Sequence, residues 1–256
     1  MQARTPLLAV FVKLRCALVL AILFAALPCA ASAPLRIKMG LHNFPPDFIV
    51  SSDGQSCGGP GFELTRRIFA MQQIEVEAVC VTPARMYLLL DSGELDLSIN
   101  IKSTKALAPQ QGQHLFVATP YSELQLVMYS HKNRGQAPRD NSVALIRGFD
   151  YQGQRAKLLE RGFIPVDLPD AISASDLFLH QRSQHLLTYD GPFRAYAKAK
   201  DASILKNLER KAISAIDTFY VLSARSPHQT QMQQAIVSYA KKHKCSYIKS
   251  CVPESE

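Results

Sequence analysis

The sequence predicts an α/β fold made of two small units, with the second unit inserted into the first. Strand-like and helix-like segments alternate from residue 35 to about residue 101, and a polar linker, HKNRGQAPRDNS, follows at residues 131–142. The same alternation starts again at Val143, and a last extended segment and helix end the pattern. Alternating strands and helices are typical of α/β proteins with mostly parallel sheets.

The first unit begins with a segment that alternates apolar and polar residues, LRIKMG at residues 35–40. We expect strands there and at 74–81 and 95–99, because these short runs are rich in apolar and β-branched residues. The sequence GGPG at 58–61 breaks the chain, and apolar residues then follow at helical spacing. A second helix is expected from Pro83 to Leu90, before Ser92 and Gly93.

The second unit follows a strand expected at residues 124–129. Strands at 143–146, 164–166 and 185–189 are expected to alternate with helices at 152–162, 171–182 and 193–200. An extended segment at 213–222 then leads to a helix at 229–243, in which Met232 and Ile236 have helical spacing.

Residues 1–33 have the layout of a secretory signal peptide. Lys13 and Arg15 precede an uncharged apolar stretch at residues 16–27, and Ala31-Ser32-Ala33 follows. The stretch is too short for an ordinary membrane-spanning helix. We expect cleavage at or a few residues before Ala33, since Pro34 is a poor new N-terminus, and a soluble mature chain.

The charge of the chain argues against nucleic acid as a partner. The first 33 residues include three cations and no acid, so their removal lowers the net charge from +8 to +5. The excess is spread along the sequence, whereas nucleic-acid binders concentrate it with aromatic residues on one face. The cluster KKHK at 241–244 is explained by favourable charge at a helix end.

Four cysteines remain after export, and an even number in a secreted chain suggests two disulfides. Three connectivities are possible. The short loop favours Cys245 with Cys251, which leaves Cys57 with Cys80; four free thiols are the alternative. No Cys-x-x-Cys or His spacing suggests a metal ion.

The sequence resembles the extracytoplasmic solute-binding proteins of family 3, which serve polar amino acid ABC importers. The matching landmarks keep the family's order over almost the whole mature chain: LRIKMG with FPPDF, GPGFELTRRIF, SGELDLSINI, FVATPYSE, VALIRGFDY and HLLTYDGPFRAYAKA. The resemblance implies a two-lobe type II periplasmic-binding-protein-like fold, each lobe a mostly parallel sheet flanked by helices. Residues 34–128 and 225–256 would form lobe 1 and 129–224 lobe 2, with two hinge crossings near 129–133 and 219–225.

The resemblance also implies a function. A monomer in the periplasm would close its lobes around a small polar solute, amino-acid-like, and deliver it to an ABC permease without a cofactor. The alternative is a ligand sensor that signals to a membrane partner. Catalysis is not expected, because no HExxH helix or GxxxxGK[ST] loop occurs and no acid–base pair stands out.

Lobe 1 would supply the anion-binding part of the pocket. Amino-acid-binding members offer a hydroxyl after the third strand and an Arg five residues later, and these positions are Asn100 and Lys105 here, with Ser98 beside them. Lys keeps the charge but loses the planar pair of donors. Lys105 therefore either binds an anion more loosely or is a solvated loop residue.

Lobe 2 would supply the remaining side chains of the pocket. Asp190 occupies the position of the carboxylate that receives the ligand ammonium, although Asp before Gly-Pro would also cap a helix. Arg147 would attract an anion and Asp150 would repel one, and Phe149 beside them is a pocket candidate. In lobe 1, Phe44 occupies the position of a stacking ring, unless it packs under the prolines that follow it.

Overall fold

The computed structural model describes residues 34–102, 114–132 and 141–251. The expected signal peptide and Lys105 lie outside the described residues. In the described part of the chain, strands and helices alternate as follows: β1 (Leu35–Leu41), β2 (Ile49–Val50), β3 (Cys57–Gly58), α1 (Pro60–Ala70), β4 (Ile74–Cys80), α2 (Pro83–Ser92), β5 (Leu97–Ile101), β6 (His114–Phe116), β7 (Ser122–His131), β8 (Ser142–Ile146), α3 (Gln154–Glu160), β9 (Ile164–Leu168), α4 (Ala171–Leu179), β10 (His185–Tyr189), α5 (Asp190–Lys200), β11 (Leu208–Ser223) and α6 (Gln229–Lys242).

One sheet runs through the molecule in the order β4-β1-β5-β11-β7-β10-β8-β9. Strand β1 is parallel to β4 and β5 at one end, and β8 is parallel to β9 and β10 at the other. We call the first end with α1, α2 and α6 lobe 1, and the second end with α3, α4 and α5 lobe 2. Each lobe is therefore a parallel sheet flanked by helices, as the sequence predicted.

Two long strands join the lobes. Strand β11 pairs with β7 over Leu208–Thr218 and then with β5 over Thr218–Leu222, while β7 also pairs with β10. All of these pairs are antiparallel, so the antiparallel part of the sheet lies between the two parallel ends. The expected crossing segments overlap these strands only at 129–131 and 219–223, and the lobe and hinge boundaries stay predictions.

Helix α1 shows how the sequence sets local structure. Pro60 occupies its first position, where the missing N–H costs nothing. Gly59 precedes it with a φ of 116°, and a Cβ there would lie 2.6 Å from the backbone oxygen of Asp47. The buried stripe of α1 includes Phe62, Ile68 and Phe69, and the helix packs against α6.

Two disulfides cross-link segments of lobe 1. Cys57 joins β3 to Cys80 at the end of β4, with Cα atoms 5.6 Å apart, and Cys245 joins Cys251, with Cα atoms 5.4 Å apart. The structure therefore selects, among the three possible connectivities, the one that the short loop favoured.

Most expected elements are present, with differences in their bounds. The third strand, expected at 95–99, is β5 at Leu97–Ile101. Strands β2, β3 and β6 were not expected, since two or three residues are too few to give a periodic pattern. In the described part of the chain, no helix is both long and apolar enough to cross a membrane.

Candidate functional site

A cavity lies where the carboxyl ends of β1, β5, β8 and β10 meet between the lobes. Aromatic and aliphatic side chains dominate its wall, and a few neutral polar groups and one acid interrupt them. The lining residues are His42, Phe44, Asp47, Phe48, Ile99, Asn100, Ile101, Tyr121, Ser122, Leu124, Phe149, Tyr189 and Thr218. Water can enter a space of about 40 Å³, which is room for about three molecules. We call this space the inner cavity.

Aromatic rings from the two lobes meet across the inner cavity. Lobe 1 supplies His42 and Phe44 just after β1, and lobe 2 supplies Phe149 after β8 and Tyr189 at the end of β10. The ring centroids of Phe44 and Tyr189 are 5.7 Å apart, and those of His42 and Phe149 are 6.4 Å apart. These separations suit tilted and edge-to-face contacts. The two lobes therefore touch through a cluster of four rings.

Three polar atoms in the wall have no hydrogen-bond partner among the described residues. They are His42 Nε2 and the hydroxyl oxygens of Tyr121 and Tyr189. Their side chains are almost fully buried, with exposed fractions of 9%, 1% and 2%. Each of these atoms exposes less than 1 Å², so packing closes it off from the water-accessible space, and a buried polar group without a partner costs free energy.

Burial also sets the protonation of these groups. It lowers the pKa of His42 to about 4, and the nearby carboxylate of Asp170 opposes this only in part. Burial raises the pKa of Tyr189 well above its ordinary value. At neutral pH the imidazole and the hydroxyls are therefore uncharged.

The remaining polar side chains of the wall are paired within the protein. Asn100 Nδ2 donates a 2.5 Å hydrogen bond to Ser98 Oγ, and the hydroxyls of Ser122 and Thr218 lie 3.0 Å apart. Asp47 accepts a 2.6 Å bond from Lys249 Nζ, so the acid of the wall has a counter-charge.

The structure brings together three of the residues that the sequence singled out. Phe44, Asn100 and Phe149 all line the inner cavity, and Ser98 is buried beside Asn100. Phe44 and Phe149 occupy matching places, each three residues beyond the end of a central strand of its lobe. Their role as ligand contacts stays a prediction.

The other described residues that the sequence singled out do not line the inner cavity. The Asp190 carboxylate accepts hydrogen bonds from Tyr129 Oη at 2.5 Å and from Arg210 Nε at 2.9 Å, and it is not part of the cavity wall. Burial alone would raise its pKa, but Arg210 and Tyr129 outweigh burial and lower it. Asp190 is the first residue of α5 rather than its cap. Arg147 is exposed, and Lys105 lies outside the described residues.

A second, larger cavity adjoins the inner one at His42. It offers water about 480 Å³ and lies between the loops after β1 and β4 in lobe 1 and the start of α4 in lobe 2. Arg85 in the first turn of α2 and Asp170, which caps α4 by accepting from the Ser173 N–H at 2.7 Å, face this space. We call it the outer cleft.

Sequence reasoning did not place His42 or Tyr121 in the wall. A signal for His42 exists: it lies two residues before Phe44, and alternate residues of an extended segment point to the same side. The depth of Tyr121 depends on its packing against Phe48 and Tyr220, with ring centroids 6.4 and 5.5 Å away.

The sheet order and the site between its two halves define a two-lobed, periplasmic-binding-protein-like α/β fold, which confirms the predicted fold class. No protein-family model matches the sequence, and no curated protein matches it either.

Solved structures do match. An ancestral arginine-binding protein bound to arginine is 16% identical with a TM-score of 0.65, over 82% of this chain and 94% of that one. A histidine kinase sensor domain with similarity to periplasmic binding proteins is 19% identical with a TM-score of 0.64, over 82% and 91%. The arginine-binding protein of T. maritima is 18% identical with a TM-score of 0.63, over 84% and 92%. These likenesses show the fold.

Proposed function

We propose that the protein binds a small polar solute, an amino acid or a similar compound, between its lobes in the periplasm and passes it to an ABC importer. The observation that supports this most is the inner cavity, whose wall comes from both lobes. A ligand that touches both lobes favours their closed arrangement. Two of the solved neighbours are arginine-binding proteins.

Sensing is the second candidate. The histidine kinase sensor domain among the neighbours shows that this fold also occurs in a receptor. The two functions share the ligand site and differ in the surface that meets the membrane partner. Cross-linking the protein to its membrane partner and identifying that partner distinguishes the two functions. A captured permease supports import, and a captured sensor kinase supports sensing.

Catalysis has little support. The segment Gly54-Gln55-Ser56-Cys57-Gly58 matches GxSxG, but a nucleophile elbow needs a turn from strand to helix. Here Ser56 is exposed just before the two-residue strand β3, and its neighbour Cys57 is in a disulfide. Among the described residues, no histidine hydrogen-bonds Ser56. The match is therefore a property of a surface turn.

Native mass spectrometry of the protein isolated from the periplasm tests the proposed function. We expect a bound small molecule that is released on unfolding. Calorimetry with amino acids, polyamines and organic acids then measures affinity. The variant Phe149→Ala removes a wall residue and should weaken binding at least tenfold, whereas Leu159→Ala, on the exposed face of α3, should not change it. Equal affinities for both variants and the parent protein would place the ligand elsewhere.

A further inference from the structure

We infer that the charged groups of the solute bind in the outer cleft, where Asp170 of lobe 2 receives a cationic group and Arg85 of lobe 1 receives an anionic group. This inference rests on the proposed function, because it names the class of solute and the residues that select it. It follows from the size of the outer cleft, from the two charged side chains that line it and from the pairing of Asp190.

The outer cleft has the size of a small-molecule site. It offers water about 480 Å³, within the range of about 300–1,000 Å³ that is typical of ligand pockets. The inner cavity offers about 40 Å³, which is room for about three water molecules and too little for an amino acid. His42 lines both spaces, and Phe149 of lobe 2 meets its ring with centroids 6.4 Å apart. The loss of Phe149 would therefore also disturb the outer cleft.

The carboxylate of lobe 2 that lines this space is Asp170. Its Oδ1 caps α4 by accepting from the Ser173 N–H at 2.7 Å, and in the described part of the chain no cationic side chain pairs with it. Burial lowers the pKa of His42 and the charge of Asp170 opposes this shift, so the carboxylate lies near a ring of lobe 1. A carboxylate without a counter-charge at the boundary between the lobes is suited to bind an ammonium or guanidinium group.

Asp190, the expected ammonium receptor, already has its partners. Arg210 Nε lies 2.9 Å from its carboxylate and Tyr129 Oη lies 2.5 Å from it, and Asp190 lines neither the inner cavity nor the outer cleft. A cation of the solute would therefore gain less from Asp190 than from Asp170, because Arg210 offsets the negative charge of Asp190.

Arg85 supplies the opposite charge from lobe 1. It lies in the first turn of α2 and is exposed, and it forms no ion pair with any carboxylate among the described residues. A guanidinium group binds a carboxylate through two parallel N–H···O hydrogen bonds. A solute that carries both charges would touch both lobes and so favour their closed arrangement, whereas a solute with one charge would pair with one lobe.

Calorimetry on the full exported chain tests this inference with L-amino acids, polyamines and organic acids as probes. We expect one amino acid to bind about tenfold or more tightly than the amine that lacks its carboxylate and than the acid that lacks its amino group. The variant Asp170→Asn keeps a good helix cap and removes the charge, so it should weaken that binding about tenfold or more. Arg85→Gln should weaken it about fivefold or more.

Two control variants make the same changes away from the cleft. Asp201→Asn alters a carboxylate that also accepts from a backbone N–H, that of Ser203 at 2.8 Å. Arg161→Gln alters an exposed arginine that follows α3. Both should leave affinity unchanged.

If either Asp170→Asn or Arg85→Gln binds the amino acid as tightly as the parent protein does, the inference is wrong and the proposed function stands. Tighter binding of a polyamine or an organic acid than of every amino acid would also overturn the inference alone. If no probe binds and no solute accompanies the protein as isolated, the proposed function fails as well.

Discussion

Lowering the pH should destabilise the protein through one buried side chain, His42. Its ring lies between Phe44 and Phe149 and is 9% exposed, and burial holds its pKa near 4 against an ordinary 6.5, while Asp170 opposes part of this shift. In the unfolded chain the imidazole takes up a proton at a higher pH than in the folded protein. Stability is therefore highest above about pH 6.5 and falls as the pH drops towards about 4.

The size of this effect follows from the pKa difference. Each unit corresponds to about 1.4 kcal/mol, so the full loss is about 3 kcal/mol, and about 2 kcal/mol of it is reached by about pH 5. The variant His42→Phe keeps a ring in the same place and does not titrate. Carboxylates contribute equally to the parent protein and the variant, so the difference between their free energies of unfolding isolates His42.

Urea unfolding followed by circular dichroism at about pH 7.5 and about pH 5 measures this difference. We expect the free energy of unfolding of the parent protein to fall by about 2 kcal/mol more than that of His42→Phe. The control His180→Gln changes an exposed histidine at the end of α4 and should behave as the parent protein. If the parent protein and His42→Phe lose the same stability over this range, His42 is not buried in the neutral form and the argument fails.

Three further changes test the packing around the cavity. Replacing Cys57 and Cys80 together by Ser opens a link between residues 23 apart and should cost about 3 kcal/mol in urea unfolding; an unchanged midpoint would mean that the link contributes nothing. Gly61→Ala should lower the melting temperature although it favours helix, because its Cβ would lie 2.7 Å from the buried ring of Phe48. A higher melting temperature would show that the ring moves freely. Tyr151→Phe removes the hydroxyl that accepts a 2.8 Å bond from the last backbone N–H of β8, at an expected cost of about 1–3 kcal/mol of unfolding free energy, and a loss below about 0.5 kcal/mol would contradict it.

The fold was predictable because it depends on local patterns. Alternating strands and helices, Pro60 and Pro83 at helix starts and Gly93 at a helix end each set their own segment. The family resemblance singled out Phe44 and Phe149, and both lie just beyond strand ends, where ligands of open α/β sheets bind.

The partners of the site residues were not predictable in the same way. Asp190 has the sequence position of a ligand contact, but Arg210 lies on β11, and its approach to Asp190 depends on the register between β11, β7 and β10. A shift of two residues in that register would leave the carboxylate without this cation. The burial of His42 likewise depends on Phe149 in the other lobe, which no local pattern reveals.

The long strands that both lobes share affect how the protein unfolds. Strand β11 pairs with β7 over Leu208–Thr218 and with β5 over Thr218–Leu222, so the sheets of both lobes depend on backbone hydrogen bonds to one strand. A fragment cut to contain one lobe would expose an unpaired strand edge, which invites association with other chains. The halves should therefore melt together in one cooperative transition, and neither should be obtained as a stable fragment.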